Sequence, residues 1–146
     1  MIDLTAFKNL MSESDKKLPL VTLDEFFDGN SEDSIAPNQW TEGRSPLAEL
    51  WKALRNVENM IGIAWIRVAL HDDTEIAVYH DEEQLLLYGE SIIFCTTMDV
   101  AEMETLVDCA WLCCDGVMEI EESELDVYSR IPPIPQGFHC LELVWD

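Results

Sequence analysis

A chain of 146 residues with 48% hydrophobic side chains is long enough to bury a core as one domain, residues 1–146. Its five tryptophans exclude a disordered acidic tail, which would lack large apolar side chains. The formal net charge is −22: residues 1–67 hold 11 acidic and 7 basic side chains, whereas residues 68–146 hold 19 acidic side chains and one basic, Arg130. Such a field repels nucleic acids and anionic membranes and attracts basic partners.

The N-terminal residues 1–17 show neither the basic start nor the unbroken apolar stretch of a secretory signal. No charge-free apolar run approaches the roughly 18–20 residues that span a bilayer. We therefore expect a soluble, cytoplasmic protein that does not associate with membranes. In that compartment cysteines stay reduced, and the apolar neighbours of all five indicate buried thiols. The five are Cys95, Cys109, Cys113, Cys114 and Cys140.

The first part of the chain predicts two short helices. Residues 3–13 place apolar side chains at helical spacing after Asp3, which suits an N-cap. The segment from Thr22 to Glu25 matches a capping box, so a second helix is expected to begin there. After a stretch rich in turn-forming residues, residues 35–43 resemble an irregular connection.

A third helix is predicted over about residues 46–59. Ser45 suits the N-cap, and Pro46 suits the first helical position because the amide hydrogen that proline lacks would be unpaired there. One apolar stripe runs along this helix and is expected to face the core. The stripe consists of Leu47, Leu50, Trp51, Leu54 and Val57.

From residue 63 onwards the pattern is typical of strands. Residues 63–71 alternate, with Ala64, Ile66, Val68 and Leu70 on one face. Strands grouped in clusters, rather than in strict alternation with helices, favour an α+β fold with a mainly antiparallel or mixed sheet packed with about three helices. The further predictions are strands at 75–79, 91–97, 117–121 and 138–145, a solvated loop at 81–83, and a helix from Asp99 to about Cys114.

The thiols do not form a recognisable metal site or catalytic site. Cys109, Cys113 and Cys114 lack the second close pair of ligands that structural zinc sites use, so buried thiols are the favoured interpretation and zinc the alternative. Cys95 ends a predicted strand before a helix, where a thiol can have a lowered pKa. A catalytic cysteine also needs a nearby base, and all three histidines are distant in sequence. We expect core packing for Cys95.

Carboxylates are too abundant to single out a catalytic pair. A general acid needs a carboxyl whose pKa is raised by burial, and no acidic residue is visibly enclosed by apolar neighbours. Glycine-rich phosphate loops, calcium-binding loops and serine-hydrolase motifs are not found. The sequence therefore predicts a protein that is not an enzyme and that uses no cofactor or metal.

Acidic loops between strands are the predicted partner-binding residues, because loops on a rigid sheet often carry recognition side chains. Trp40 joins them, since it lies in the irregular segment and is the tryptophan most expected to be exposed. The other tryptophans fall within predicted elements and are expected in the core. The predicted binding residues are Asp72, Asp73, Asp81, Glu82, Glu83 and Trp40.

Several segments resemble a known group of proteins: residues 18–30, continuing through Ser34 to Asn38, the helix after Ser45-Pro46, and the ending Val144-Trp145-Asp146. The chain is similar in these segments to a family of small, acidic, uncharacterised bacterial proteins, some of which look like immunity proteins of toxin systems. The matching motifs are structural, so no catalytic residues are carried over. The resemblance implies an α+β fold and an antitoxin-type role.

The leading hypothesis for function is a non-catalytic binding protein that neutralises or regulates a basic, toxin-like protein. The alternative is an enzyme or small-ligand-binding domain with no recognisable motif. A third hypothesis is a structural or assembly component, and a fourth is that the acidic side chains serve solubility only. The sequence alone does not identify the partner or the oligomeric state.

Overall fold

A four-stranded antiparallel sheet forms the centre of the structure, a computed structural model that describes residues 1–146. Its strands, in spatial order, are β2 (Ile63–Leu70), β5 (Gly89–Thr96), β8 (His139–Val144) and β6 (Gly116–Ile120). The predicted α+β fold is confirmed. None of the helices combines the length and the apolar character that a bilayer-spanning helix requires.

The other elements surround this sheet. Two small sheets accompany it: β1 (Leu18–Pro19) pairs in parallel with β7 (Tyr128–Ser129), and β3 (Glu75–Tyr79) pairs in antiparallel with β4 (Glu82–Leu86). Short 3-10 turns cover Glu32–Ser34 and Glu122–Val127. The α-helices are α1 (Leu4–Glu13), α2 (Leu23–Phe27), α3 (Pro37–Trp40), α4 (Leu47–Glu58), α5 (Val100–Val107) and α6 (Cys109–Leu112).

Strand β2 divides its side chains between two cores. Ile66, Val68 and Leu70 join the larger core, which also contains the buried side chains of the helices. Trp65 and Ala69 join a smaller cluster with members from β5, β8 and residue 125. The predicted alternation is confirmed for these residues. It is wrong for Ala64, which is exposed where a register shift interrupts the pairing of β2 with β5.

Helix α4 buries the predicted stripe, because Leu47, Leu50, Leu54 and Val57 all lie in the larger core. Trp51 is only partly buried. Its ring stacks against Phe27 with the ring centroids 6.3 Å apart. Its indole N–H donates a hydrogen bond of 3.2 Å to Asp24, so the stripe packs α4 against α2 at the edge of the core.

The predicted capping of α4 by Ser45 is wrong. Pro46 is the N-cap residue, and no local side chain caps the helix. The carboxylate of Glu32 instead accepts hydrogen bonds of 2.9 and 3.2 Å from the amide of Leu47. The same carboxylate pairs at 3.0 Å with the buried guanidinium of Arg44, which also donates to the carbonyl of Ile35. A buried guanidinium needs such acceptors, and Glu32 therefore serves both groups.

Three further predictions of local structure are wrong. The helix expected from Asp99 to Cys114 breaks at Asp108, which has a left-handed backbone (φ 58°) and a side chain that accepts a hydrogen bond from the amide of Trp111, thereby capping α6. Glu82 and Glu83 belong to strand β4 rather than to a loop. Residues 35–43 contain α3, whose N-cap Ala36 also has a left-handed backbone.

Replacing Leu54 with alanine tests the packing of α4. Leu54 is 1% exposed, so Leu54→Ala is expected to lower the free energy of unfolding by about 2–5 kcal/mol, measured by urea denaturation. Lys52→Ala, on the exposed side of the same helix, is the control and should change it by less than about 0.5 kcal/mol. Equal effects of the two substitutions would contradict the assignment.

Candidate protein-binding surface

Strands β3 and β4 form a hairpin that lies outside the central sheet. The pairing runs from Glu75 with Leu86 to Tyr79 with Glu82, leaving a two-residue turn. Both turn residues, His80 and Asp81, have positive φ (51° and 66°). Two-residue hairpin turns of this type match the right-handed twist of the strands, and aspartate tolerates the left-handed conformation well.

The inner end of the hairpin is attached to the core, and the outer end is held by one ion pair. Ile76 packs against the larger core and faces Leu85, which is buried in it. At the outer end, Glu83, the register partner of Val78, is held by Lys8 of α1, with 2.7 Å between the charged atoms. Val78 and Tyr79 are 66% and 53% exposed. The outer end therefore presents apolar and aromatic surface to solvent.

Of the five predicted acidic residues, the structure places three at the outer end of this hairpin, including the lysine-bound Glu83, and two before its inner end. Asp81 and Glu82 lie at the outer end and form no ion pair with any basic side chain. Asp72 and Asp73 lie before β3, at the inner end. Because a five-residue strand spans about 16 Å, the two acidic groups are separate patches on one arm rather than a single cluster.

Trp40 belongs to a different part of the surface. The residue is 36% exposed, and its ring lies over the guanidinium of Arg44, whose Cζ atom is 4.8 Å from the ring centroid. The adjacent side chain of Gln39 donates a hydrogen bond of 2.9 Å to the carbonyl of Asp146. Trp40 thus covers a buried arginine next to the C-terminal residue. This contact is a structural explanation for a tryptophan in the segment that was expected to be irregular.

The acidic field around the hairpin is almost uncompensated. Residues 68–129 contain 17 acidic side chains and no lysine or arginine. The only carboxylate of this region that pairs with a lysine or arginine is that of Glu83. The other such pairs join acidic residues of the first 32 residues to Arg44, Arg55 and Arg130. Lysine and arginine therefore leave 16 of these 17 carboxylates unpaired.

A half-buried carboxylate that the sequence analysis missed lies on β8. Burial raises the pKa of Glu142, and the nearby carboxylates of Glu90 and Glu124 raise it further, whereas a hydrogen bond from Ser91 (3.2 Å) lowers it. Tyr128 lies close by. Its pKa is also raised, mainly by burial and secondly by the negative charge of Glu142. The expectation that no acid is enclosed is wrong here, because β5 and residue 128, distant in sequence, enclose it.

Glu142 does not line the neighbouring hollow of about 280 Å³, whose walls include Lys16, Lys17, Asp72 and Glu90. The carboxyl group of Glu142, whose pKa is raised, is therefore not part of the wall of this hollow. Groups with perturbed pKa values are frequent at functional sites but also occur in structural networks. Burial favours the protonated form of Glu142, which lies beside the hydroxyl groups of Ser91 and Tyr128.

The five thiols are free and fall into three environments. Cys95 and Cys140 are register partners on adjacent strands and are buried. Cys109, the first residue of α6, and Cys114, which follows this helix, are half-buried. Cys113 is exposed, so the expectation of buried thiols is wrong for this residue: its left-handed backbone (φ 59°) ends α6. No group of three or more potential ligands could hold a metal ion.

These features define an α+β domain with a strongly acidic surface and a projecting acidic hairpin. The family model described as the uncharacterized protein YfbO family matches residues 2–143, and the chain therefore belongs to this family. No curated protein and no solved structure matches the chain. The match supports the predicted likeness to a family of uncharacterised proteins, while the likeness to immunity proteins stays a hypothesis.

The pH dependence of stability tests the environment of Glu142. Because the raised pKa means that the folded protein binds this proton more tightly than the unfolded chain, its contribution to stability falls as pH rises from the ordinary glutamate value through the raised one. Glu142→Gln keeps an acceptor for Ser91 and should increase stability at neutral pH and reduce this fall, measured by urea denaturation across pH. Glu119→Gln, at an exposed position on β6, should have a smaller effect on the stability at neutral pH and on its fall with rising pH. Equal curves for the two variants would contradict the assignment.

Thiol labelling tests the three cysteine environments. Cys113 is exposed, whereas burial raises the pKa of Cys95 to about 12. Only thiolates react rapidly with alkylating agents, so iodoacetamide at about pH 8 should modify Cys113 first and Cys95 only after unfolding. Peptide mass spectrometry would locate the label, with Cys113→Ser as the control. Labelling of Cys95 in the folded protein at the rate of Cys113 would contradict this description.

Proposed function

We propose that the protein is a non-catalytic binding protein whose acidic hairpin recognises a basic protein. The observation that carries the proposal is the outer end of the hairpin, where unpaired Asp81 and Glu82 adjoin the exposed side chains of Val78 and Tyr79. Carboxylates next to an exposed aromatic ring offer both charge and contact area to a partner.

The two kinds of side chain would act at different stages of binding. The carboxylates of residues 68–129 attract a cationic partner over long range and raise the rate of encounter. At contact, Asp81 and Glu82 can accept charge-assisted hydrogen bonds from lysine or arginine. Tyr79 and Val78 can be covered by apolar groups of the partner, since aromatic side chains often dominate the energy of an interface.

Glu83, Asp72 and Asp73 have smaller parts in this proposal. Glu83 is neutralised by Lys8, so its main role is to orient the hairpin against α1. Asp72 and Asp73 add to the attraction at the inner end, where the backbone amide of Asp73 also donates a hydrogen bond of 3.0 Å to the ring of His71.

The specific form of the proposal is an immunity-type protein that neutralises a cationic toxin. Two observations support it: the resemblance noted in the sequence, and the strongly negative charge, which complements the positive charge of proteins that bind nucleic acids. Binding alone would suffice for such a role, because covering the active surface of a toxin blocks it without chemistry.

A second candidate function is the binding of a small ligand. It is favoured by Glu142, whose raised pKa beside Ser91 and Tyr128 resembles the perturbed groups found in many binding sites. A ligand that contacts this carboxyl would shift its titration, which NMR of the side-chain carboxyl carbon would detect on addition of candidate compounds.

Charge reversal at the hairpin tests the leading proposal. The tagged protein is used as bait in an extract of the organism that encodes it, and retained proteins are quantified by mass spectrometry. The variant Asp81→Lys/Glu82→Lys should lose a basic protein that the wild type retains, by roughly ten-fold or more, because each lost charge-assisted contact costs about 1.5–3 kcal/mol.

The matched control is Glu119→Lys/Asp126→Lys, which changes the net charge equally at exposed positions outside the hairpin. It should still retain the partner. Circular dichroism would verify that both variants are folded. Equal retention by the hairpin variant, or a retained partner that is acidic or neutral, would contradict the proposal.

A further inference from the structure

Helices α4, α5 and α6 leave an open groove between them on the outside of the larger core. Its volume is about 450 Å³. The apolar lining residues include Met60 and Trp111, which are 41% and 38% exposed. The remaining apolar side chains that line it are those of Ala53, Val57, Leu106 and Val107.

The groove continues into a second hollow of about 520 Å³ along α5, and Leu106 lines both. The second hollow is bordered by Met98 and Ala101. Ile61 directly follows Met60, which lines the first groove, in the chain. Ile61 is 98% exposed. We call the two hollows, which meet at Leu106, together with the exposed side chain of Ile61, the trough.

The length of α4, one wall of the groove, sets the size of a helix that could lie along it. Helix α4 has 12 residues, which corresponds to a length of about 18 Å. A helix of about 12 residues, or three turns, laid alongside it would have the same length. Peptide helices commonly bind such grooves through apolar side chains at positions i, i+3, i+4 and i+7.

The charges at the rim indicate the chemistry of the occupant. Glu49, Glu102 and Asp108 line the two hollows, against one basic side chain, that of Lys52. A second copy of the chain would bring the same excess of acidic residues, and each copy carries a net charge of −22, so self-association across this trough is disfavoured. A helix with basic side chains beside its apolar face complements both the rim and the floor.

We infer that the trough between α4 and α5–α6 is a docking site for an amphipathic helix with basic flanks, contributed by a partner protein. The inference rests on the proposed function only in that the partner is basic. It assigns a role to Met60, Ile61 and Trp111, which the acidic hairpin leaves unexplained.

The probe is a fluorescein-labelled peptide of about 14 residues with leucines at i, i+3, i+4 and i+7, lysines flanking them and alanines elsewhere. A peptide of the same composition in shuffled order has the same charge but no apolar face. Fluorescence anisotropy at about 0.15 M salt, where the Debye length is about 8 Å, should show binding of the helical peptide roughly ten-fold tighter than that of the shuffled one.

Two variants with unchanged net charge locate the binding site of the peptide. Met60→Gln/Ile61→Asn leaves the net charge unchanged and should abolish the preference for the helical peptide. Met118→Gln, which polarises a methionine of similar exposure on β6 (49%, against 41% for Met60), should leave the preference intact. Equal affinity for the two peptides, or a preference that survives Met60→Gln/Ile61→Asn, would overturn the inference. So would self-association, detected by sedimentation, that this double variant abolishes, because the occupant would then be a second copy.

The same variants separate this inference from the proposed function. Asp81→Lys/Glu82→Lys should keep the preference for the helical peptide while losing the partner retained from the extract. If the peptide preference is absent but partner retention depends on the hairpin, the inference fails and the proposed function stands. If the peptide preference is present but no basic partner depends on the hairpin, the proposed function fails and the docking site stands.

Discussion

Repulsion among the carboxylates of residues 68–129 is the constraint on which the arrangement of the protein depends. Seventeen acidic side chains without a lysine or arginine destabilise any compact state that brings them together. The fold offsets this repulsion with apolar burial. Strand β5 is buried at every position from Ser91 to Thr96 and joins both cores, while Met103 and Val107 turn the apolar face of α5 inward and leave Glu102 outside.

The first part of the chain supplies partners for the second. Lys8 of α1 reaches Glu83 on the hairpin, and Glu25 of α2 pairs with Arg130, the only lysine or arginine after residue 67. Although burial acts in the opposite direction, the hydrogen bonds from Arg130 and Thr22 lower the pKa of Glu25. These contacts fasten the acidic elements to the N-terminal helices. They leave Asp81, Glu82 and the rim of the helical trough uncompensated, and both proposed surfaces follow from this residual charge.

Local patterns predicted much of the fold. The capping box at Thr22, the N-cap Asp3 and the stripe of α4 depend on residues close in sequence, and all three are confirmed. The cap that Glu32 supplies to α4 depends on a contact across 15 residues, so no local pattern could indicate it. The break at Asp108 was hidden because the apolar spacing continues through it.

The candidate surfaces were predictable only in part. Clustered acids identified the hairpin residues, but the pairing of Glu83 with Lys8 and the separation of Asp72 from Asp81 require the fold. The trough escaped the sequence analysis because Trp111 and Leu106 fit the pattern of a core helix. Glu142 escaped it because its surroundings come from β5 and residue 128. In each case the decisive neighbour lies far away in the chain.

The salt dependence of association with the partner retained from the extract tests the central claim most directly. Between about 0.01 and 0.15 M salt the Debye length falls from about 30 to 8 Å, so attraction by the acidic surface is largely screened. Stopped-flow rates for the wild type and for Glu119→Lys/Asp126→Lys should therefore fall steeply over this range, and those for Asp81→Lys/Glu82→Lys should start lower and fall less. An association rate that is the same at low and high salt, and the same for the wild type and the hairpin variant, would contradict the account.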